Sequence, residues 1–200
     1  MDNIITNMCI RLEEAHVEGV PEYIKKLRDN ANNSEKFADF YLEGRAAIMF
    51  SQAGLDVTLR DAPDLALKLN NEQFYSEVKH FRIKKQDQYG DIVPPAWKQF
   101  YDVAKKKIKQ YKEHAPYILV IGNNNDRIED LDIPGAIDMI NEDVRSGECL
   151  GLAKLNGILL IMLDWYNISQ KRRVYFRRTS NPAVSLRREL FFLLDDIRLA

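Results

Sequence analysis

The chain predicts an α/β domain with a mixed central β-sheet flanked by helices, and three observations predict it. Runs with strand character at residues 55–60, 64–69 and 73–82 follow one another with only turns between them, which makes an antiparallel meander the cheapest topology. Tyr117-Ile118-Leu119-Val120-Ile121 is a short continuous apolar run, as expected of a strand buried on both faces. One helical pattern separates it from the 73–82 run, and strand, helix, strand implies a crossover and a parallel pairing.

Two short helices open the chain, at 4–16 and 21–29; Pro21 suits the first turn of the second because its φ is fixed and its missing N–H is not needed there. A third helix starts at Ser34 as N-cap and turns Phe37, Phe40, Tyr41, Ala47, Ile48 and Phe50 inward before Gly54 ends it. The three meander strands follow. Residues 84–95 are polar and broken by Gly90 and Pro94-Pro95, so they read as a surface loop. From Ala96 a helix places Trp97, Phe100, Tyr101, Ala104, Ile108 and Tyr111 at mixed spacings of three and four. Pro116 stops it, the 117–121 strand follows, and Asn123-Asn124-Asn125-Asp126 forms a loop at its carboxyl end. A helix over 133–144 begins at Pro134, with Gly147 and Gly151 framing the next turn. Residues 157–163 make a further apolar strand, and 171–178 alternate Val174 and Phe176 with basic neighbours. Asn181-Pro182 then turns the chain into a last helix that covers the core with Leu186, Leu190, Phe191, Leu193 and Leu194.

The 64–82 segment carries the chemistry. Asp64-Leu65-Ala66-Leu67-Lys68-Leu69 alternates polar and apolar, Asn70-Asn71 tolerates a tight turn, and Phe74 to Phe81 reads FYSEVKHF. In that strand Glu77 and Lys79 share one face, while Val78 and His80 take the other. The returning strand brings Glu77 and Lys79 alongside Asp64. Two carboxylates and an ammonium suit a hard cation such as Mg²⁺, which takes one or two protein carboxylates and keeps several waters. A lysine beside it can orient or activate water and offset charge on a phosphate. Each residue also has a plain structural reading: Pro63-Asp64 as a turn pair, Glu77 with Lys79 as a solvated ion pair on an edge strand. His80, on the opposite face from Lys79, is expected to pack or hydrogen-bond rather than to catalyse.

Pro63-Asp64 followed by Glu77-Val78-Lys79 resembles the PD-(D/E)xK nuclease superfamily, the fold of many restriction and repair endonucleases. The similarity extends upstream to the helix carrying Phe40-Tyr41-Leu42-Glu43-Gly44-Arg45-Ala46-Ala47 and to Ala53-Gly54-Leu55-Asp56-Val57; it spans roughly a quarter of the chain as a motif match. It implies a restriction-endonuclease-like three-layer core and Mg²⁺-dependent hydrolysis of phosphodiester bonds in nucleic acid, DNA in the first place, with Mn²⁺ as a substitute. Asp64 and Glu77 would be metal ligands and Val78 would lend its backbone carbonyl. Lys79 would be the catalytic lysine, and Glu43 would hold a second ion or a metal-bound water. A homodimer is implied, since cutting both strands of a duplex often uses two sites. Gln99-Phe100-Tyr101 and Gln110-Tyr111 do not reproduce the glutamine and tyrosine signature of some branches. The alternatives are a non-catalytic nucleic-acid-binding module of the same fold, or a subunit of a larger DNA-processing assembly.

Composition bounds the rest. With 200 residues, 46% of them hydrophobic, one domain with one substantial core is expected. It comprises a helical extension over 1–33, the motif-bearing core over 34–122, and completing helices and strands over 123–200. Cys9 and Cys149 follow no zinc-ligand spacing, the start has no secretory pattern and no apolar run spans a bilayer, so a reduced, cytoplasmic protein without a membrane partner is expected. The glycines form neither a P-loop nor a dinucleotide fingerprint, His16, His80 and His114 lack metal-ligand spacing, and no serine sits in a nucleophile elbow. The formal charge is −1, but its distribution is uneven. Lys105-Lys106-Lys107, Lys109 and Lys112 share one helix, where some simply solvate its outer face. Lys84, Lys85, Arg172, Arg173, Arg177 and Arg178 are the candidates to hold a phosphate backbone, while the acids near Glu129, Asp138, Glu142-Asp143 and Asp195 face solvent.

Overall fold

Local sequence signals set the sheet, and the sheet sorts the helices into two layers. The computed structural model describes residues 1–82, 94–108, 111, 114–123, 131–162, 174–180 and 182–197. Six strands lie side by side in chain order: β1 (Asp56–Leu59), β2 (Leu65–Leu69), β3 (Glu72–Phe81), β4 (Tyr117–Asn123), β5 (Leu155–Met162) and β6 (Val174–Arg178). The first three are antiparallel, β3–β4 and β4–β5 are parallel, and β6 returns antiparallel on β5. The hairpin closes as its turn residues demand. Leu69 pairs with Glu72 across Asn70-Asn71, and Asn70 takes a left-handed φ of 55°, a conformation asparagine tolerates.

Alternation along the strands feeds two separate cores. Phe74, Val78, Ile118, Val120, Leu159, Ile161 and Phe176 face α1 (Asp2–Glu14), α2 (Val20–Asp29), α3 (Ser34–Gln52) and α6 (Arg188–Asp196). Tyr75, Phe81, Tyr117, Leu119, Ile121, Ile158 and Leu160 face α4 (Ala96–Ile108), α5 (Asp132–Ser146) and the 3₁₀ turn Leu150–Lys154. The result is an α/β domain in three layers.

Helix α3 positions the site and is itself held at three points. Its N-cap is Asn33, whose side chain accepts the Lys36 amide at 3.1 Å; the expected cap, Ser34, is instead the first helical residue. Both side chains can cap, and the chain enters the helix one residue earlier. Tyr23 on α2 clamps the middle, its hydroxyl donating to the Phe40 carbonyl at 2.7 Å and accepting the Gly44 amide at 3.1 Å. Against the sheet, α3 sits so close that a Cβ on Gly122 of β4 would lie 2.4 Å from Leu42 Cδ2.

Two further expectations change. Asp143, grouped above with solvent-facing acids, is 4% exposed, accepting the Tyr101 hydroxyl at 2.5 Å and lying 3.1 Å from Lys105 Nζ. It ties α5 to α4, because an acid buried at a helix interface needs both a donor and a counter-charge. Trp97 is half-buried rather than core, while Phe100, Tyr101, Ala104 and Ile108 are buried as expected. The loops expected over 84–93 and 124–126 lie outside the described residues. No helix among the described residues is long and apolar enough to cross a membrane.

Candidate functional site

The site exists because β2 is shorter than β3. Pairing between them runs out at Leu65 with Ser76, so among the described residues β2 leaves the edge of β3 open from Glu77 onward. Asp64, one residue before β2, fills the first open place: its Oδ2 accepts the Val78 amide at 2.7 Å. A strand residue presents its N–H and C=O to the same edge. The Val78 carbonyl therefore opens beside Asp64.

Four ionisable groups converge there. The carboxyls of Asp64 and Glu77 come within hydrogen-bonding reach of each other. Glu43 arrives from α3 and is 8% exposed, while Glu77 is 5% exposed. Lys107 comes across from α4 and sets its Nζ 2.5 Å from Glu77 Oε2. Burial pushes the Glu43 carboxyl up to about 9, with the Asp64 charge adding to the shift and Lys26 and Lys107 opposing it. Burial and then Glu77 push Asp64 up to about 6, against the pull of Lys107 and the Val78 amide. Desolvation works against the Lys107 ammonium, but Asp64 and the hydrogen bond to Glu77 outweigh it and raise its pKa. This is an acid-rich, desolvated site short of positive charge.

Lys79 reaches a different carboxylate, lying 3.4 Å from Asp39 Oδ2 on α3. Arg82 Nη2 is 3.0 Å from Asp39 Oδ1, and His80 Nδ1 is 3.7 Å from it. Lys79 and His80 are strand neighbours, so simple alternation sends them to opposite faces, yet both come to Asp39. The edge left open by β2 gives the Lys79 stem a way round. Asp39 lies one turn before Glu43 on the same helical face, which keeps Lys79 at the margin of the acid cluster.

A fifth group points to what the site lacks. The Tyr117 hydroxyl is buried with no hydrogen-bond partner among the described residues. Burial, followed by the charges of Glu77 and Asp64, raises its pKa well above the ordinary tyrosine value, so it shares their surroundings. A buried hydroxyl without a partner costs roughly 1–3 kcal/mol. A water or ligand oxygen held at the carboxylates would relieve that cost.

Comparison with family models, curated proteins and solved structures finds no match to this chain.

No group of three or more His, Cys, Asp and Glu side chains among the described residues has an arrangement that would hold a metal. Two adjacent carboxylates and a backbone carbonyl on the same edge suit Mg²⁺, which needs few protein ligands and brings its own waters, far better than zinc, which wants a closed set. A cleft of about 500 Å³ lined by His16, Ser51, Thr58 and Lys68 contains none of these groups.

The basic candidates divide. Lys84, Lys85, Arg172 and Arg173 lie outside the described residues. Arg177 and Arg178 are exposed on β6. Register places Glu77 beside Leu119, Leu119 beside Ile158, and Ile158 beside Arg177, so Arg177 stands level with Glu77, roughly 14 Å away across three strand spacings. Sequence reasoning missed Asp39 and Lys107 as neighbours of the site. For Lys107 a signal exists, since it falls three residues after Ala104 and seven after Phe100, on the face that α4 turns inward.

Proposed function

We propose that this chain is a divalent-metal-dependent nuclease that hydrolyses phosphodiester bonds in nucleic acid, DNA in the first place. The observation that carries the reading is the meeting of Asp64 and Glu77 at the open edge of β3, beside the Val78 backbone. Asp64, Glu77 and the Val78 carbonyl would hold Mg²⁺ or Mn²⁺, and the metal would supply Lewis-acid stabilisation of the phosphate and a more acidic water. Lys79, at the margin of the cluster, would orient the attacking water. Glu43 would accept a hydrogen bond from water at the site or help hold a second ion. Attack of a water oxygen on phosphorus, with release of that water's proton to solvent, breaks the bond to one ester oxygen, which leaves with a proton delivered by solvent. Arg177 and Arg178 supply exposed positive charge for the phosphate backbone. A two-site homodimer and a cytoplasmic setting belong to the same reading.

The test is cleavage of supercoiled plasmid, linear duplex and single-stranded DNA with Mg²⁺, Mn²⁺ or EDTA, with Asp64→Ala and Lys79→Ala run in parallel. Metal-dependent cutting lost in both variants is expected, with folding and metal binding kept in Lys79→Ala. A fully active Lys79→Ala would remove its assigned role. The second reading is a nucleic-acid-binding module without chemistry, alone or within a larger assembly. It is favoured by the ion pairs that occupy Lys79 and Lys107. DNA binding without any metal uptake would select it.

A further inference from the structure

Lys107 is an ammonium that the hydrolytic reading does not call for, and it sits on one of the two carboxylate oxygens of a proposed metal ligand. Its Nζ is 2.5 Å from Glu77 Oε2, and its side chain is 23% exposed. It reaches the sheet from α4, so its placement follows from the packing of Phe100, Ala104 and Ile108 rather than from the hairpin. Glu43, Asp64 and Glu77 surround it with more acid than one ammonium can balance. Lys79 is committed differently: its partner is Asp39, so it occupies neither proposed ligand. The Tyr117 hydroxyl, buried near the same two acids and without a hydrogen-bond partner among the described residues, is a separate sign that a further oxygen belongs in this place.

Two cations on one carboxylate in a desolvated site repel each other strongly. A lysine has the means to yield, because its charge sits on a flexible four-carbon stem with three rotatable donors. We propose that Lys107 is an exchangeable counter-ion: it holds Glu77 in the metal-free protein and, when a divalent cation takes Glu77, its ammonium turns to a phosphate of the bound nucleic acid. The inference rests on Asp64 and Glu77 as the metal ligands. It assigns Lys107 two successive anionic partners, and it couples metal loading to substrate binding.

The experiment is isothermal titration of Mg²⁺ into the full chain without nucleic acid, comparing wild type with Lys107→Met, Lys107→Gln, Lys107→Arg, Lys79→Met and Asp64→Asn. Circular dichroism checks each fold, and the Gln variant, which keeps a donor to Glu77, stands in should Met unfold. Removing the competing charge should tighten Mg²⁺ binding about tenfold. Arg should restore the wild-type affinity, Lys79→Met should leave it unchanged and Asp64→Asn should abolish it. A second readout is binding of a short fluorescent duplex in Mg²⁺, with Lys79→Met as the common background to block turnover. There Lys107→Met should weaken binding and lower the salt slope by about one. Unchanged or weaker Mg²⁺ binding in the charge-removing variants overturns the exchange even if the protein cleaves DNA. Tightening in a protein that cleaves nothing upholds the exchange and refutes the hydrolysis. If neither wild type nor Lys107→Met takes up metal, both fall.

Discussion

Asp64 caps the Val78 amide at 2.7 Å, so one carboxylate serves both as the end of a β-ladder and as a member of an acid pair with Glu77. These two duties are separable. Asp64→Asn keeps an oxygen that can accept the amide but removes a buried charge facing Glu77. It should therefore be at least as stable as wild type in EDTA, yet gain nothing from Mg²⁺, as read by thermal unfolding with and without metal. Asp64→Ala loses the cap as well and should be about 1–3 kcal/mol less stable.

The raised carboxyls give stability a pH dependence with a definite sign. Glu43 and Asp64 hold protons in the folded protein at pH values where the unfolded chain has released them. Their contribution is therefore fully present below the unfolded carboxyl values near 4, and it is lost as pH rises through about 6 for Asp64 and about 9 for Glu43. Denaturant titrations from pH 5 to 9 should show stability falling by at most about 1.4 kcal/mol per pH unit for each proton released. Glu43→Gln should flatten the upper part of that fall. Saturating Mg²⁺, which favours ionised acids, should also flatten it.

Tyr117→Phe removes only the hydroxyl, which has no hydrogen-bond partner among the described residues. In metal-free protein the change should stabilise by about 1 kcal/mol or more, because a buried unpaired group is deleted without leaving a cavity. If the hydroxyl bonds an oxygen held at the carboxylates, Mg²⁺ should stabilise the variant less than it stabilises wild type. Equal stabilisation by Mg²⁺ would make the tyrosine a packing residue only.

Gly122→Ala drives a methyl into Leu42 on α3. A cost of about 1–3 kcal/mol is expected from the overpacking, and Leu42→Ala should recover part of it in a double-mutant cycle. Because α3 carries Asp39 and Glu43, the single variant should also weaken Mg²⁺-dependent cleavage.

The parts of the fold that were legible in the sequence are those specified by neighbours along the chain. The β2–β3 hairpin was readable to within a residue because alternation and Asn70-Asn71 act locally, and the parallel β4 followed from its apolar run after one helix. The acid pair was legible for the same reason: Asp64 directly precedes β2 and Glu77 lies on β3 of the same hairpin. What stayed hidden depended on packing at a distance. Three consecutive lysines on α4 look equivalent in composition, and only the way Phe100, Ala104 and Ile108 seat that helix selects Lys107 for Glu77 and Lys105 for Asp143. The meeting of Lys79 with Asp39 was hidden because it requires a side chain to round a strand edge, which alternation alone does not foresee.

The division of the domain by its sheet bears on how the site comes into being. Glu43, Asp64 and Glu77 all lie before the end of β3, gathered by a helix and a hairpin close together in the chain. Lys107 meets Glu77 only after the α4 crossover has docked, a contact 30 residues apart, and Tyr117 comes later still on β4. The acids are thus assembled by the early half of the polypeptide together with Lys26 of α2, whose charge acts on Glu43, whereas Lys107 comes from the later half, so a folding intermediate made of the first three strands and helices would hold Glu77 without its ion-pair partner until the second layer arrives.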